Sequence, residues 1–323
     1  MKNFWLKLNK PFLALAPMYD VTDFVFRETV SDIAKPDVLF TEFVNTDALF
    51  SKGREKVIRD FEFTNKQHPI VAQIWGINPE TFFKTAELVK ELGFDGIDIN
   101  MGCPEKAVVK NGACSALIKN HDLAKELIKA VKEGAKGLPI SVKTRIGYNK
   151  VVTDEWVSFL LEQGLDALTI HGRIAKQKSE GNADWNEIEK SVKLRDKTSP
   201  KTLIIGNGDV CSYKEALEKH KKYGVDGVMI GRGIFSNPWV FENVPNDSQY
   251  LIEHTKEESL KLLLKHTKLY EDKWGSEKNF NVMKKFFKIY VRDFKGSGEL
   301  RQKLMECSSY SQVEKVIKDS NLL

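Results

Sequence analysis

The sequence predicts an α/β protein: a (β/α)₈ barrel followed by a small all-helical C-terminal domain. A recurring junction is the first observation: a helix ends at a glycine, a short turn carries an aspartate, and an apolar strand follows. Its three copies surround Gly93, Gly164 and Gly224. Such alternation of helices and strands is typical of a parallel sheet. The chain has 323 residues, and a barrel takes roughly 250, which leaves room for an appendage.

Eight strands account for the barrel, and helices separate most of them. Helix-start signals, Asn78 before Pro79 and Asp154 before Glu155, support two of these helices. An open, doubly wound sheet is the alternative arrangement of the same elements. The predicted helices span 79–92, 121–135, 154–163, 185–195 and 212–223, and the predicted strands begin near Phe12, Val38, Pro69, Gly96, Pro139, Ala167, Thr202 and Gly227.

The tail differs in pattern from the rest of the chain. We predict a catalytic barrel domain over 1–245, a linker over 243–248 and a helical domain over 246–323, with helical spacing at 255–273, 280–294 and 309–318. The tail is basic, and aromatic residues are interleaved with its charges. This pattern suits either a solvated helix face or a surface that follows phosphates. Its basic residues include Lys284, Lys285, Lys288, Arg292, Lys295, Arg301 and Lys303.

Composition excludes some classes of protein. The net charge of +5 permits nucleic acid as a partner without requiring it. The four cysteines form no C-x-x-C pair, so neither a zinc site nor a disulfide framework is predicted, and a reducing cytoplasm is expected. No run approaches the ~20 apolar residues of a membrane helix, and no signal peptide is evident. We expect a monomer.

Polar residues follow several predicted strands at the end where barrel enzymes place their active sites. Glycine turns follow the last two strands, and glycine lets backbone N–H groups approach a phosphate. This pattern suits a flavin mononucleotide (FMN), with Lys143 near the pyrimidine edge of its ring and Gln73 and the first-strand backbone hydrogen-bonded to it. The turns comprise Asn207, Gly208 and Asp209, and then Gly231 and Arg232.

Cys103 lies between Gly102 and Pro104, directly after the fourth strand. A free cysteine is usually a small buried hydrophobe, but this one follows a strand end in a polar pocket. We therefore predict a reactive thiol. At an ordinary pKa of ~8.5 it would be protonated at pH 7 and able to donate a proton. The other three cysteines are interpreted as structural.

At these residues the chain resembles the tRNA-dihydrouridine synthase family. The resemblance covers nearly the whole chain and follows an ordered set of motifs: Ala16-Pro17-Met18, Val71-Ala72-Gln73-Ile74, Asp98-x-Asn100-x-Gly102-Cys103-Pro104, Ser141-Val142-Lys143-Thr144-Arg145, His171-Gly172-Arg173, Asn207-Gly208-Asp209 and Gly231-Arg232-Gly233.

The resemblance implies an NADPH-driven flavoprotein that reduces uridine in tRNA to dihydrouridine. Cys103 would protonate C5 of the uracil while the flavin delivers hydride to C6, and Asn100 and Arg145 would hold the uracil. Arg173, Lys178, Lys284 and Lys285 would contact RNA. The implied FMN contacts are Pro17, Met18, Tyr19, Gln73, Lys143, His171, Asn207, Gly208, Asp209, Gly231 and Arg232.

Three other functions remain open from the sequence. The same chemistry could act on ribosomal RNA, because the uracil is identical there. A flavin barrel could reduce a free pyrimidine, although the basic tail then has no purpose. A non-catalytic RNA-binding protein is a further alternative, and the presence of Lys143, His171 and Cys103 argues against it.

Overall fold

The computed structural model describes residues 3–242 and 254–322. The predicted linker and the predicted domain boundary at Pro245 lie outside these ranges. The chain divides into two units. The first, a barrel unit, comprises Met1–Asp23, Pro36–Val210 and Lys214–Gly231, and the second, a helical unit, comprises Phe24–Lys35, Cys211–Tyr213 and Arg232–Leu323. The helical unit thus also takes in two short stretches from earlier in the chain.

The barrel unit contains a parallel sheet whose strands follow the order β1-β9-β8-β7-β6-β5-β4-β2. A parallel bridge between Ala14 and Val38 joins the two ends of this order, so the sheet closes. The predicted barrel is therefore confirmed, and the open sheet is excluded. A two-residue strand, β3, pairs only with β4 and lies off the barrel path. The strands are β1 Phe12–Leu15, β2 Leu39–Phe40, β3 Val44–Asn45, β4 Ile70–Trp75, β5 Gly96–Met101, β6 Ile140–Arg145, β7 Ala167–His171, β8 Leu203–Asn207 and β9 Gly227–Ile230.

Among the described residues of the barrel unit, the five predicted helices are all present, together with three short α-helices that the sequence did not predict. The Asn78 side chain caps the first long one by accepting a hydrogen bond from the backbone N–H of Glu80. They are α2 Thr46–Leu49, α3 Arg54–Val57, α4 Pro79–Glu91, α5 Lys106–Lys110, α6 His121–Ala135, α7 Thr153–Glu162, α8 Trp185–Thr198 and α9 Tyr213–Tyr223, whose first residue belongs to the other unit.

The recurring junction has one structure in all three copies. Gly93, Gly164 and Gly224 have φ of +85°, +61° and +69°, the left-handed conformation that ends a helix. The aspartate that follows each glycine then accepts a hydrogen bond from the backbone N–H of a residue in the neighbouring strand. The three bonds are Ile70 N to Asp95 at 2.7 Å, Ile140 N to Asp166 at 2.8 Å and Ile204 N to Asp226 at 2.8 Å. The repeat therefore sets the register of adjacent strands.

The helical unit packs around aromatic residues. Phe26 stacks on Phe286 with ring centroids 5.3 Å apart, and the buried His266 Nδ1 lies 2.8 Å from the Tyr290 hydroxyl. Its helices are α1 Phe24–Ile33, α10 Lys256–Trp274, α11 Phe287–Tyr290, α12 Ser297–Glu306 and α13 Tyr310–Asp319.

One predicted helix of the tail is wrong. The stretch 280–294 forms a 3₁₀ helix, Phe280–Phe286, and then only the single turn of α11. The chain leaves helical geometry at Val291 (φ −109°, ψ 81°) and turns through Asp293 at φ +61°. A left-handed residue cannot continue a right-handed helix. Within the described ranges, no helix is long and apolar enough to cross a membrane.

Candidate active site

A buried chain of side-chain hydrogen bonds crosses β4 and β5. Asp98 Oδ2 accepts from Gln73 Nε2 at 2.6 Å, and Gln73 Oε1 accepts from Asn100 Nδ2 at 2.9 Å. The other carboxylate oxygen of Asp98 accepts from the Ser141 hydroxyl at 2.6 Å. Gln73 and Asp98 are fully buried. Burial raises the pKa of Asp98 to about 6, against the hydrogen bonds from Ser141 and Gln73 and the charge of Lys143.

Asn100 is the last side chain in this series of hydrogen bonds. It bonds to residues 102–105, the segment that carries Cys103, which we call the thiol loop. Its Oδ1 accepts hydrogen bonds from the backbone N–H of Gly102 at 3.0 Å and of Cys103 at 2.9 Å. Asn100 is only 6% exposed. The side chain that the sequence assigned to the uracil therefore also fixes the backbone on which the thiol sits.

Arg145 binds the thiol loop from the other side. Its Nε donates to Gly102 O at 2.7 Å, and its guanidinium also donates to Lys178 O at 2.9 Å and to Ile174 O at 3.3 Å. It thus ties the loop after β5 to the loop after β7. Lys178 sits at this junction with φ of +50°, and the atom it contributes to Arg145 is its backbone carbonyl.

The segment that carries Cys114 returns to Cys103, where the backbone N–H of Ser115 donates to Cys103 O at 3.3 Å. The neighbouring Cys114 thiol lowers the pKa of Cys103 to about 7, against its burial and with smaller help from the backbone of Glu105 and the charge of Arg145. Burial, foremost, raises the pKa of Cys114 well above its usual range. The sequence predicted an unshifted Cys103 thiol, and this expectation is wrong, because a second thiol packs against it. The proton of Cys103 is consequently mobile near neutral pH.

Lys143 lies in register with Thr169 on the next strand. Burial lowers the pKa of Lys143 to about 8, together with the charge of Arg145 and against that of Asp98. Among the described residues its ammonium group donates a hydrogen bond only to Asn207 Oδ1, at 3.1 Å. The hydroxyl of Thr169 is buried and has no partner within the described part of the chain. The side chains of Lys143 on β6 and Thr169 on β7 can therefore still form hydrogen bonds with a ligand.

The turn after β8 is held in unusual backbone conformations. Gly208 has φ of +131°, and a Cβ there would lie 2.5 Å from that of Ala183, so only glycine fits. Asp209 has φ of +51°. Its carboxylate accepts from the Arg173 guanidinium at 2.6 and 2.7 Å. Arg173, which is 2% exposed, also donates to Gly181 O at 2.5 Å. Its described bonds therefore fasten loops, and its side chain is not open to solvent.

His171, at the end of β7, lies with its Nε2 3.3 Å from the Arg173 guanidinium. After β9, Gly231 is bordered by Ala16 and Met18: a Cβ there would meet the Ala16 Cβ at 3.4 Å and the Met18 sulfur at 3.7 Å. The last strand and the first strand therefore end side by side, as the predicted cofactor site requires. Arg232, which follows Gly231, belongs to the helical unit.

The first strand ends in Pro17, Met18 and Tyr19. Pro17 is buried, and the Met18 N–H donates to Thr22 Oγ1 at 2.9 Å, so this donor is already engaged. Tyr19 is 68% exposed, and its ring lies 5.8 Å from that of Phe43. Among the predicted flavin contacts, Tyr19, Asp209 and Arg232 are thus the exposed ones.

The helical unit carries a cationic cavity of about 720 Å³. Its lining includes four basic side chains and one acidic side chain, Asp293. Lys284 and Lys285, the predicted RNA contacts, lie in the preceding 3₁₀ helix and are half-buried. The basic side chains of the cavity are Lys288, Arg292, Lys295 and Arg301. The interleaved pattern of the tail therefore produces a concentrated positive patch.

Two parts of this arrangement were missed by the sequence interpretation. Asp98 was noted as polar but given no role, and Cys114 was taken as structural. Asp98 carried a signal, a carboxylate at an inward position of an apolar strand, which is costly unless it is paired. For Cys114, no signal in the sequence places it against Cys103. Among the described residues, no group of three or more His, Cys, Asp or Glu side chains could hold a metal ion.

The fold and the site define a barrel enzyme with a cysteine of lowered pKa and a polar cluster at the carboxyl ends of its strands. The family model described as "Dihydrouridine synthase (Dus)" matches residues 14–322. The chain therefore belongs to the dihydrouridine synthase family.

Two relatives illustrate the similarity. "Probable tRNA-dihydrouridine synthase" of Staphylococcus aureus strain Mu50 is 46% identical over 98% of this chain and 95% of its own. "Probable tRNA-dihydrouridine synthase 2" of Bacillus subtilis strain 168 is 44% identical over 98% and 96%. Among solved structures, morphinone reductase in complex with tetrahydroNAD aligns with 72% of this chain and 86% of its own, at 14% identity and a TM-score of 0.49, which is too low to carry function.

Proposed function

We propose that this protein is an NADPH-dependent flavoenzyme of the cytoplasm that reduces specific uridines of tRNA to 5,6-dihydrouridine. The observation that carries the proposal is the thiol loop, which Asn100 and Arg145 hold by hydrogen bonds from two sides. Nearby, the Lys143 ammonium and the Thr169 hydroxyl have hydrogen-bond donors without acceptors among the described residues. Membership of the dihydrouridine synthase family supports the reaction, and the names of the relatives support tRNA as the substrate. Four free cysteines support a reducing compartment.

The residues present fit FMN. Two donors of the Lys143 ammonium and the Thr169 hydroxyl lack acceptors among the described residues, and the Gly208 turn leaves no room for a side chain. Bound FMN, reduced by NADPH, supplies the hydride that adds to C6 of the uracil. The residues that would hold it are Pro17, Met18, Tyr19, Gln73, Lys143, His171, Asn207, Gly208, Asp209, Gly231 and Arg232.

Within this reaction Cys103 acts as the general acid. Its Sγ–H transfers a proton to C5 of the uracil, which leaves a thiolate, and the pKa of about 7 matches that task at neutral pH. Asn100 retains one amide hydrogen for the uracil after its bond to Gln73. Arg145 contributes by fixing the thiol loop, since its described bonds go to backbone carbonyls.

The helical unit supplies affinity for the RNA backbone. Its cationic cavity gathers four basic side chains, and phosphate contacts by Lys and Arg dominate the affinity of proteins for nucleic acids. This predicts binding that weakens steeply as salt rises. Lys284, Lys285 and Lys178 are proposed as further RNA contacts, because each is at least partly exposed.

The experiment is nucleoside mass spectrometry on RNA from a strain that lacks the gene. We expect dihydrouridine to disappear from defined tRNA positions and to return with the wild-type gene but not with Cys103→Ala. Loss from ribosomal RNA alone would establish the other RNA substrate. Unchanged dihydrouridine in both RNAs, together with turnover on free uracil by the purified protein, would refute the proposal in favour of a free-pyrimidine reductase.

A further inference from the structure

Asp98 has no described hydrogen bond to the thiol loop, and yet a path of side-chain hydrogen bonds connects it to that loop. The path runs from Asp98 through Gln73 to Asn100, whose Oδ1 accepts from the backbone N–H groups of the loop. Each step is between 2.6 and 3.0 Å. All three side chains are at least nine-tenths buried, so water does not compete for these bonds.

Both ends of this path have a fixed role, because the carboxylate of Asp98 accepts and the backbone N–H groups of the thiol loop donate. A primary amide presents an oxygen and a nitrogen of nearly the same shape, so Gln73 and Asn100 could each sit either way round. An ionised carboxylate can only accept. Against Asp98, Gln73 must therefore present its Nε2, which leaves its Oε1 for Asn100.

The orientation of Gln73 determines which atom of Asn100 faces the thiol loop. Because Gln73 offers oxygen, Asn100 must give its Nδ2 to Gln73 and turn its Oδ1 toward the thiol loop. In the opposite orientation, Asn100 Nδ2 would face the N–H groups of Gly102 and Cys103, and donor would meet donor. Leaving buried donors unsatisfied costs about 1–3 kcal/mol each.

We propose that Asp98 is a positioning residue: its acceptor-only carboxylate anchors the Gln73 and Asn100 amides in the one orientation that satisfies the N–H groups of the thiol loop, and so holds the loop in place. A buried carboxylate is expensive, and an apolar residue of similar size commonly serves stability as well. The cost of burying Asp98 is understandable if its acceptor-only character is what the site needs. The inference rests on the proposed function only where it concerns RNA reduction, and its structural part stands without it.

The test compares Asp98→Asn with Ser191→Ala in the FMN-bound full chain. Asn at position 98 keeps the size but can donate as well as accept, so it no longer offers acceptor atoms alone. Ser191 is a fully buried serine of α8 whose hydroxyl donates to Glu187 O, so its replacement removes a buried hydrogen bond away from the path and is the control. Three quantities are measured for each: the rate of flavin reduction by NADPH, the rate of dihydrouridine formation in tRNA, and the pH midpoint of Cys103 alkylation by iodoacetamide, read from the Cys103 peptide.

We expect Asp98→Asn to slow dihydrouridine formation on the order of tenfold, the effect of one weakened charge-assisted hydrogen bond. Flavin reduction by NADPH stays unchanged, because it does not use the thiol. The alkylation midpoint of Cys103 rises, because a displaced loop loses its contact with Cys114. Ser191→Ala leaves all three close to wild type.

Two results overturn the proposal. One is an unchanged alkylation midpoint in Asp98→Asn. The other is a parallel loss of flavin binding, flavin reduction and RNA reduction in both variants, which is the signature of a general structural role. Should Asp98→Asn fail to fold, Gln73→Met interrupts the same path, and an unchanged midpoint there is equally decisive. If the wild-type protein forms no dihydrouridine, the proposed function fails, while the alkylation midpoints still decide the role of Asp98.

Discussion

Replacing Cys114 by alanine should move the pH dependence of the reaction to higher pH. The Cys114 thiol is the main reason why the pKa of Cys103 is lowered to about 7. Without that thiol, burial raises the pKa while the Glu105 backbone and the charge of Arg145 still lower it, so it returns toward the ordinary ~8.5. At pH 8 the protonated fraction of Cys103 would then rise from about 10% to about 75%. At pH 6 both proteins hold the proton almost completely, and the difference disappears.

The assay is a single turnover of pre-reduced enzyme on excess tRNA, quenched at intervals between pH 5.5 and 9.5, with dihydrouridine quantified by mass spectrometry. The wild-type rate should fall with a midpoint near pH 7, because the acid is lost as pH rises through its pKa. The midpoint for Cys114→Ala should lie at least one pH unit higher. Cys211→Ala, which removes an exposed thiol, is the control and should match wild type. An identical midpoint in Cys114→Ala and wild type would refute the assigned cause.

Three further predictions follow from the same contacts. Cys103→Ala should retain FMN and NADPH oxidation but slow tRNA reduction by about 10²–10⁴-fold, the usual worth of a general acid; equal rates in the single-turnover assay would remove the thiol from the mechanism. Arg145→Lys should slow tRNA reduction about tenfold, because an ammonium cannot reach all three backbone carbonyls, and Lys129→Arg on the exposed face of α6 serves as the control. Asp226→Asn should lower the free energy of unfolding in urea by about 3 kcal/mol, since it removes the buried one of the two carboxylates that pair with the Arg195 guanidinium and leaves only the exposed Asp196.

The charge on Asp226 also gives that last prediction a pH dependence. Burial would raise the pKa of Asp226, but hydrogen bonds from Lys10, the Ile204 backbone and Arg195 prevail and lower it. A lowered pKa in the folded state means stability that is present above the unfolded value near ~3.9 and is lost as pH falls further. The stability difference between wild type and Asp226→Asn should therefore shrink below about pH 4, and a constant difference down to pH 2 would contradict this assignment.

Local rules in the sequence were sufficient for the barrel. The glycines at 93, 164 and 224 indicated helix ends because only a residue without a Cβ adopts positive φ freely, and all three do so. Period and composition then placed the eight barrel strands. The same rules failed at 280–294, where the helical spacing of apolar residues is real but the chain leaves helical geometry at Val291 and then turns through Asp293 at positive φ. An aspartate tolerates that conformation without requiring it, so its identity alone could not predict the break.

The candidate site, like the fold, could be predicted from the sequence only in part. The sequence by itself determined that polar side chains collect at the carboxyl ends of the strands, since parallel strands in a barrel all end at one face. It also placed Cys103 there. Only the tertiary structure decided which of these side chains meet, and in which direction their hydrogen bonds run. Asp98 gained a role because strand register brings it to Gln73, and Cys114 because its loop returns to Cys103. Contacts between residues distant in sequence depend on register and loop path, which local patterns do not encode, and here those contacts set the pKa of the reactive thiol.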